Sequence, residues 1–537
     1  MAKGQSRATY KPLLLTTTIR NPERFKDFMF VLYKYNGQIL SNELIEEIEK
    51  DLFTIGLYKP IKRPQSVKDK WRGVPKNELA LIPLTRKEAK QVYDMNDPRQ
   101  NPAIKGHKEA GFDKGWPSRF QTQYMLMRTL GFVKYSIGEP IVFSEVGIYL
   151  ASSTKISIIG DSISREPSDT PQYEQMAFMQ AFAKYQRGNP FIRELNDNIP
   201  LILLLQVIKK LNANPNYGNC GISYKELPLV IFWKNNDAEE LYQRIVKLRK
   251  EHGYNPSNEV IEEICTQEIL GGFKRFDLDS IVHEYPDDFL RKMRLTGLVS
   301  FRGAGRFIDI NHVEDAKVDY IIDTYSSYKK YETEEEFFQY MSTIDDNLFS
   351  KQAVNLSKND AAKKLSQWVH VYSWKQIKTE LKHLSSKSSS KDDVLKFISA
   401  PARLEFLTAL AIKSRFPNIL VVPNYSCDDE GLPTSTAGGN KGDIECFEQP
   451  NGILVEVTMA EGRTQTMMEV WPIERHLKDF QEKASNAQCV FVAPSIFSDT
   501  NRQIEFVLQT SQLLIRPYAI NNFIEYLENK EHLYCQV

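Results

Sequence analysis

Two acidic residues interrupt short apolar runs in KGDIECFEQPNGILVEVTM, residues 441–459 of the chain. Asp443 opens the first run and Glu456 stands within the second, ILVEV. The Pro-Asn-Gly sequence between the runs predicts a tight turn in which glycine supplies the positive-φ position, so the two runs form an antiparallel hairpin. In the register we predict, Asp443 lies opposite Thr458. Alternation then puts Asp443, Glu456 and Thr458 on one face, whereas a slip of one residue would separate them.

This hairpin face predicts a metal site. Two carboxylates on a buried face lose hydration and repel each other, and such a pair persists where a cation or a shared proton neutralises it. Oxygen ligands with room for water and phosphate suit Mg²⁺. An acid, twelve intervening residues and then acid-x-polar on the next strand resembles the active-site hairpin of PD-(D/E)xK nucleases. The alternative is a pair of solvated acids at strand ends.

Two further glutamates belong to segments with a helical pattern. Glu405 lies in ARLEFLTALAI, among apolar residues at the spacing of a buried helix face, and Glu469 follows the second strand in RTQTMMEVWPIERHL. We expect both to approach the hairpin from helices on either side of it. Taken singly, each is also consistent with an ordinary surface glutamate.

Charge is distributed unevenly along a chain whose net charge is zero. Residues 1–135 hold 25 Lys and Arg against 14 Asp and Glu, whereas residues 136–537 hold 44 against 55. The amino-terminal part would therefore attract a polyanion, unless its cations form only a solvated basic face.

Several classes of protein are disfavoured by what the sequence lacks. The six cysteines form no C-x-x-C pair, which argues against a zinc site or a disulfide framework, and no Walker-type loop indicates ATP use. The longest aliphatic stretch is too short to span a membrane, and no apolar signal core follows the amino terminus. We expect a cytoplasmic protein.

The pattern up to about residue 390 is mostly helical. Residues 41–58 and 237–253 have helical spacing, with Ser41 as an N-cap of the first. Residues 127–151 and 293–322 share a helix–hairpin–helix layout, which is typical both of winged-helix modules and of ordinary small α/β packing units. The stretch GISYKELPLVIF, residues 221–232, could begin another such module.

The carboxy-terminal pattern is different. HLSSKSSSKDD, residues 383–393, predicts a linker, and residues 392–416 predict a helix that Pro401 kinks or splits. After it, ILVVP, DIECFE, GILVEV and CVFVAP predict strands that alternate with helices. We therefore predict a multidomain protein with three parts. They are a mainly α-helical DNA-recognition region with winged-helix-like modules (1–330), a helical linker (331–391) and an α/β PD-(D/E)xK-like nuclease domain (392–537).

Long motifs throughout the chain resemble the AlwI family of type IIS restriction endonucleases. These are LLLTTTIRNPERFKDFM, HKEAGFDKGWPSRFQTQY (107–124), NPFIRELNDNIPLILLLQVIKKLN (189–212) and EYPDDFLRKMRLTGLVSFRGAGRFIDIN (284–311). TAGGNKGDIECFEQPNGILVEVTMAEGRTQ is similar to the cleavage motif of that family and of related strand-nicking endonucleases. The resemblance implies an amino-terminal region that binds a short asymmetric DNA site and a Mg²⁺-dependent domain that cuts at a fixed distance from it.

The resemblance also implies roles for individual acids. Asp443 and Glu456 match the metal-binding pair, and with the Val457 carbonyl they would hold Mg²⁺. Glu405 matches the helical glutamate, and Glu469 matches a further active-site acid. These two would complete a second-metal site or orient the attacking water.

Other residues of the motif are assigned less directly. His476 matches a histidine of related nickases that would contact phosphate or protonate the leaving oxygen, although a lone histidine more often serves structure. Thr458 belongs to the predicted active site but stands where the wider PD-(D/E)xK pattern has lysine. Lys441 or a second metal would then supply the missing charge. Gln465 and Arg475 would touch the DNA backbone or one another.

For DNA binding, we predict phosphate or guanine contacts from basic residues in loop-like segments. The candidates are Arg20, Arg24, Lys114 and Arg119, each of which could equally serve solubility. Cutting both strands would need a second copy of the chain, sequential cuts or a small subunit, and the family implies a cognate DNA methyltransferase.

Three other functions compete with this one. The first is a nicking endonuclease of the same fold, or the large subunit of a heterodimeric restriction enzyme. The second is a winged-helix DNA-binding protein with an inactive nuclease domain, which the presence of all four acids disfavours. The third is a repair nuclease, which the long amino-terminal resemblance disfavours.

Overall fold

The computed structural model of the protein describes residues 19, 21–59, 62–74, 82–100, 111–160, 162–167, 170, 172–192, 196–272, 276–354, 356–438, 441–484 and 486–535. The chain divides into two compact units. The first comprises Met1–Lys70, Leu84–Lys155 and Thr170–Ala353, and the second comprises Trp71–Pro83, Ile156–Asp169 and Val354–Val537. Across the described residues, no helix combines the length and the apolar character that a membrane crossing requires.

Helices dominate the chain up to residue 353. They are α1 (Phe25–Tyr33), α2 (Asn42–Thr54), α3 (Gln65–Lys70), α4 (Arg86–Asn96), α5 (Trp116–Thr129), α6 (Glu145–Ser152), α7 (Gln172–Lys184), α8 (Pro200–Ala213), α9 (Leu227–Phe232), α10 (Ala238–His252), α11 (Asn258–Glu263), α12 (Tyr285–Leu295), α13 (Asp315–Tyr325), α14 (Glu334–Ser342) and α15 (Asp346–Ser350). Short π-helical turns at Ile264–Ile269 and Ser280–Glu284 flank α11 and α12.

Strands are short in the same part of the chain. They are β1 (Val133–Lys134), β2 (Val142–Phe143), β3 (Thr154–Ile159), β4 (Ser162–Pro167), β5 (Ile222–Ser223), β6 (Val299–Arg302) and β7 (Phe307–Ile310). The pairs β1–β2 and β3–β4 form two-stranded sheets, and β5, β7 and β6 form a three-stranded sheet in that order. The β3–β4 hairpin belongs mostly to the second unit, which no sequence pattern indicates.

The predicted helices and helix–hairpin–helix stretches of the first unit are confirmed. The Ser41 hydroxyl accepts a hydrogen bond from the Leu44 N–H at 3.2 Å and so caps α2, and Asp237 caps α10 in the same way. Residues 127–151 and 293–322 each contain a helix, a two-stranded ladder and a second helix. Residues 221–232 do not begin a separate module, because β5 pairs with β7 and completes the sheet of residues 293–322.

The second unit adds helices α16 (Lys358–Val371), α17 (Trp374–Ser385), α18 (Ala400–Arg415), α19 (Gly462–Met468), α20 (Val470–Gln481), α21 (Ser498–Ser511) and α22 (Ile520–Asn529). Its strands are β8 (Leu420–Pro423), β9 (Tyr425–Cys427), β10 (Pro433–Ala437), β11 (Ile444–Glu448), β12 (Asn451–Val457), β13 (Asn486–Ala493) and β14 (Ile515–Ala519).

A mixed five-stranded sheet organises this unit. Its order is β14-β13-β12-β11-β8, with β12, β13 and β14 parallel to one another and with β11 antiparallel to both its neighbours. The four strands predicted from sequence are β8, β11, β12 and β13. The molecule is thus a mostly helical, multidomain α/β protein with its mixed sheet near the carboxy terminus, as the coarse prediction states.

The helix predicted over 392–416 starts later than expected. It begins at Ala400, and Pro401 occupies its first turn, where proline lacks only an N–H that a helix leaves unpaired anyway. Pro401 therefore starts the helix instead of kinking it. The Ser- and Lys-rich residues 383–393 lie inside the second unit, where Lys387 donates a hydrogen bond to Glu461.

The register of the β11–β12 hairpin differs from the predicted one by two residues. Glu448 pairs with Asn451 across a Gln449–Pro450 turn, and Gly452 lies within β12. A Cβ at position 452 would lie 2.4 Å from the Ala484 Cβ, so glycine is needed there for packing, not for a turn. Because an even shift preserves side-chain alternation, the predicted acidic face survives.

Candidate active site

The acidic face of the hairpin is assembled at the end where β11 begins. Ile444 pairs with Val455, so Asp443 stands level with Glu456 and not with Thr458 as predicted. The Val457 N–H donates to Asp443 Oδ2 at 2.7 Å, which fixes the aspartate on the neighbouring strand. The Asp443 and Glu456 carboxyls belong to facing positions of adjacent strands, close enough for the charge of Glu456 to raise the pKa of Asp443.

Glu405 approaches this pair from α18. The helix is buried along most of its length, and Glu405 is only 4% exposed. One of its oxygens, Oε2, accepts a hydrogen bond from the Ala437 N–H at the end of β10, at 3.0 Å. The charge of Asp443 acts on Glu405, which places the two carboxyls in one electrostatic cluster as the sequence predicts.

Glu469 joins the cluster from the junction of α19 and α20. The apolar residues Val470, Ile473, Leu477 and Phe480 attach α20 to the core that contains β12 and β13. Glu469 Oε1 accepts a hydrogen bond from the Thr458 hydroxyl at 2.7 Å, and its charge acts on both Asp443 and Glu456.

His476 contacts the cluster about two turns further along α20, seven residues after Glu469. It is buried, and its Nδ1 shares a hydrogen bond with Glu456 Oε1 at 2.9 Å. The histidine therefore touches an acid of the predicted metal-binding pair. Arg475, next to it in sequence, is exposed, as is Lys441 two residues before Asp443.

Burial and mutual repulsion raise the pKa values of the acids. Burial raises the pKa of Asp443 well above its usual range, and the Glu456 charge raises it further. Burial, followed by the charge of Asp443, does the same to the pKa of Glu405. Burial and the charge of Glu469 raise the pKa of Glu456 to about 8. The cluster thus retains protons that isolated carboxyls would have lost at neutral pH.

The donor set suits a hard divalent cation. Within the described part of the chain, no three acidic, histidine or cysteine side chains already have the arrangement of a metal site. The side chains that converge are carboxylates, however, and oxygen donors are those that Mg²⁺ prefers. The repulsion between Asp443 and Glu456 calls for positive charge beside them, so the residues present fit a cation that would supply it.

The structure also identifies two supporting residues, Asn424, which the sequence analysis does not assign, and Gln465, which has a role other than the predicted one. Asn424 donates from its backbone N–H to the Asp443 carbonyl at 2.9 Å and from its side chain to the Gly442 carbonyl at 2.7 Å. Gln465 was predicted to touch DNA or Arg475, but it is fully buried and bridges backbone groups. Such roles depend on tertiary contacts, and the residue types alone carry no signal for them.

The predicted DNA contacts differ in their surroundings. Lys114 and Arg119 are exposed, and Arg119 lies 5.7 Å from the centroid of the Tyr58 ring. Arg24 is half-buried and donates to the Leu57 carbonyl, which gives it a structural role in the first unit. Arg20 lies outside the described residues.

The comparisons with known proteins establish the family. A sequence model of the AlwI restriction endonuclease family matches residues 128–399 and 352–526, together more than half of the chain. The chain therefore belongs to the AlwI family of restriction endonucleases. It is a DNA-binding nuclease that hydrolyses phosphodiester bonds. No curated protein matches the chain.

Solved structures are similar to the chain only at a low level. The small subunit (R.BspD6I2) of the heterodimeric restriction endonuclease R.BspD6I is 23% identical, with a TM-score of 0.25, over 29% of this chain and 78% of that one. Restriction endonuclease FokI, alone and bound to DNA, is 11% and 10% identical, with TM-scores of 0.25 and 0.24. Both FokI matches cover 97% of this chain and 96% of that one. Family membership rests on the family match alone.

Proposed function

We propose that the chain is a type IIS restriction endonuclease. It would bind a short asymmetric site in double-stranded DNA and, with Mg²⁺, hydrolyse phosphodiester bonds at a fixed distance outside that site. The observation that carries the proposal is the convergence of four acids from four places in the second unit. They are Glu405 of α18, Asp443 before β11, Glu456 of β12 and Glu469 between α19 and α20.

Each side chain has a distinct task in this proposal. Asp443, Glu456 and Glu405, with the Val457 carbonyl, would hold Mg²⁺. A Mg²⁺ ion bound there would polarise the scissile phosphate and make the attacking water more acidic. Glu469 would orient that water or complete a second-metal site.

His476 would hold Glu456 in place through their hydrogen bond of 2.9 Å. Its contact with the metal-binding pair favours this role over direct contact with phosphate or protonation of the leaving oxygen. Lys441 is exposed two residues before Asp443 and would supply positive charge to the phosphate.

DNA recognition is assigned to the first unit. Helix α12 followed by the β6–β7 hairpin, with β5 completing the sheet, has the layout in which a winged-helix module ends, which supports the module prediction. Helix α12, which precedes the hairpin, is buried along most of its apolar and basic side chains and so is not free to enter a groove. We therefore assign phosphate contact to the exposed Lys114 and Arg119.

Two other functions are considered, one that uses the same cleavage chemistry and one that has no cleavage activity. Among the described residues we find one acid cluster of this kind, so a single chain would cut one strand at a time. That supports either a nicking endonuclease or an enzyme that needs a second copy or a small subunit for the other strand. A winged-helix DNA-binding protein with an inactive nuclease domain is less well supported, because all four acids are retained and brought together.

The restriction role further implies a cognate DNA methyltransferase and action in the cytoplasm. The proposal is tested by digesting a plasmid of known sequence with Mg²⁺ and sequencing the new ends. We expect every end to lie at one fixed distance from a shared, short, asymmetric sequence. Ends inside the shared sequence, or ends without any shared sequence, would contradict the type IIS assignment.

A further inference from the structure

The Thr458 hydroxyl lies between two partners that together fix the direction of its proton. Its oxygen accepts a hydrogen bond from the Ala460 N–H at 3.0 Å and lies 2.7 Å from Glu469 Oε1. A backbone N–H can only donate, so the hydroxyl proton is available for Glu469. Thr458 thus donates to Glu469, and the carboxylate is held as an acceptor.

The surroundings hold this hydroxyl in place. The Thr458 N–H donates to the Val492 carbonyl at 3.0 Å, which extends the pairing of β12 with β13 by one residue. The buried Gln465 side chain donates to the carbonyls of Ala460 at 3.1 Å and Ser495 at 2.9 Å. Its own oxygen accepts from the Phe497 N–H at 2.9 Å. Ala460, which donates to Thr458, is therefore itself fixed by a buried side chain.

We infer that Thr458 is a positioning residue that aims Glu469 at the acid cluster and thereby sets the affinity of the site for its divalent cation. The inference rests on the proposed metal-dependent cleavage. It also accounts for threonine where the wider PD-(D/E)xK pattern has lysine. A lysine beside Glu469 would neutralise that carboxylate with a full charge, whereas a hydroxyl orients it and leaves its negative charge for the metal.

The test compares Thr458→Val, which keeps the shape and removes the hydroxyl, with Thr458→Ser, which keeps the hydroxyl. Binding of Mn²⁺ to the full-length protein is measured by isothermal titration calorimetry without DNA, so that the readout does not depend on cleavage. Partners that orient metal ligands typically contribute 10- to 100-fold in affinity, so we expect Thr458→Val to weaken Mn²⁺ binding about 10- to 100-fold. Thr458→Ser should bind like the wild type.

A double-mutant comparison distinguishes two causes of lost Mn²⁺ affinity, namely misorientation of Glu469 and a general disturbance of the fold. If Thr458 acts through Glu469, adding Thr458→Val to Glu469→Ala should produce no further loss of Mn²⁺ affinity. The thermal midpoint of each variant is recorded beside its titration. Should Thr458→Val fail to fold, Thr458→Ala takes its place in the same comparison.

Three results would overturn the inference. They are wild-type Mn²⁺ affinity in Thr458→Val, an equal loss in Thr458→Ser, and a full additional loss in the Glu469→Ala background. The proposed function fails in a different way, because the wild-type protein would then neither bind Mn²⁺ nor cut DNA. A wild type that binds and cuts, beside a Thr458→Val variant that does both equally well, contradicts the positioning role alone.

Discussion

The fold holds Asp443 and Glu456 next to each other. Repulsion between the two carboxylates is unfavourable, and a bound proton or cation reduces it. Burial and the charge of Glu456 raise the pKa of Asp443, and burial and the charge of Glu469 raise the pKa of Glu456. The same arrangement that destabilises the fold supplies the negative charge that a divalent cation requires. In the proposed function, the unfavourable repulsion between these carboxyls would be offset when a divalent cation binds.

The substitution Asp443→Asn should separate the stability of the fold from the binding of metal. An amide carries no charge, can still accept from the Val457 N–H and can donate to Glu456, so we expect it to stabilise the metal-free protein at pH 8 by about 1 kcal/mol. Cleavage should be lost, because the ligand charge is gone. Denaturant unfolding in EDTA and a plasmid digest measure the two effects. A variant that is less stable than the wild type, or that still cuts, would argue against the acid-cluster account.

Glu49 in α2, which is not part of the candidate active site, makes the free energy of unfolding depend on pH. It is fully buried, its Oε2 is 3.4 Å from the Gln123 amide nitrogen, and burial raises its pKa to about 8. Between about pH 4.5 and pH 8 the unfolded chain has lost a proton that the folded chain keeps. The free energy of unfolding therefore falls as the pH rises through this window.

The substitution Glu49→Gln should remove that dependence. At pH 8 we expect the variant to be more stable than the wild type by on the order of 2–4 kcal/mol, and at pH 4.5 nearly equal to it. Urea unfolding at both pH values measures the difference, with Glu43→Gln, an exposed glutamate of the same helix, as the control. Parallel pH profiles for the Glu49→Gln variant and the wild type would contradict the buried, protonated state.

At the scale of elements, the active site depends on how closely α20 approaches β12. A Cβ at position 452 would lie 2.4 Å from the Ala484 Cβ and 2.9 Å from the Phe480 ring. We expect Gly452→Ala to lower the free energy of unfolding by about 1–3 kcal/mol, because the core there has no space for a methyl group. Gly438→Ala is the matched control, since position 438 has no neighbour within 4 Å of the added atom. Equal stability of the two variants would show that α20 can move away without cost.

The elements that the sequence predicts well are those with long periodic patterns. Helices α2 and α10 and strands β8, β11, β12 and β13 follow from apolar spacing and caps, which are local properties. The predicted hairpin register differs from the observed one by two residues. The prediction places Gly452 in the turn, whereas Gly452 packs against Ala484 from within the strand, a contact that no local pattern reveals. Strands β9 and β10 are too short to show periodicity, although the N–H of Ala437 in β10 binds Glu405.

The sequence indicates more of the acidic residues of the candidate site than of the residues that hold them in place. The structure brings the four predicted acids and His476 together. Asp443 and Glu456 are conspicuous in the sequence because they are charged residues within apolar runs, whereas His476 is indicated only by the family resemblance. The bonds from Asn424 and Gln465 join backbone groups that are distant along the chain, so only the folded structure reveals them.

At the scale of the whole molecule, the positive charge of residues 1–135 should govern how DNA binding responds to salt. Lys114 and Arg119 are exposed and form no ion pair with a described residue, whereas Arg86 pairs with Glu47 and Asp51. Each phosphate contact that is removed should reduce the slope of log affinity against log salt by about one.

The double variant Lys114→Ala, Arg119→Ala should therefore lower that slope by about two, and Arg86→Ala should leave it unchanged. Fluorescence anisotropy with a duplex containing the recognised site, over a series of salt concentrations, measures the slopes. If the double variant keeps the wild-type slope, both residues are removed from the DNA surface. Neither result would change the role in cleavage that is proposed for the acid cluster.

In the proposed function, the acid cluster around Asp443 performs the cleavage. The most direct measurement incubates supercoiled plasmid with Mg²⁺ and the wild-type protein or Asp443→Ala, while binding of both proteins to the same DNA is followed by gel shift. We expect discrete linear fragments, or open circles if the enzyme nicks, from the wild type only, with DNA binding retained by the variant. Cleavage by Asp443→Ala at the wild-type rate would contradict the account.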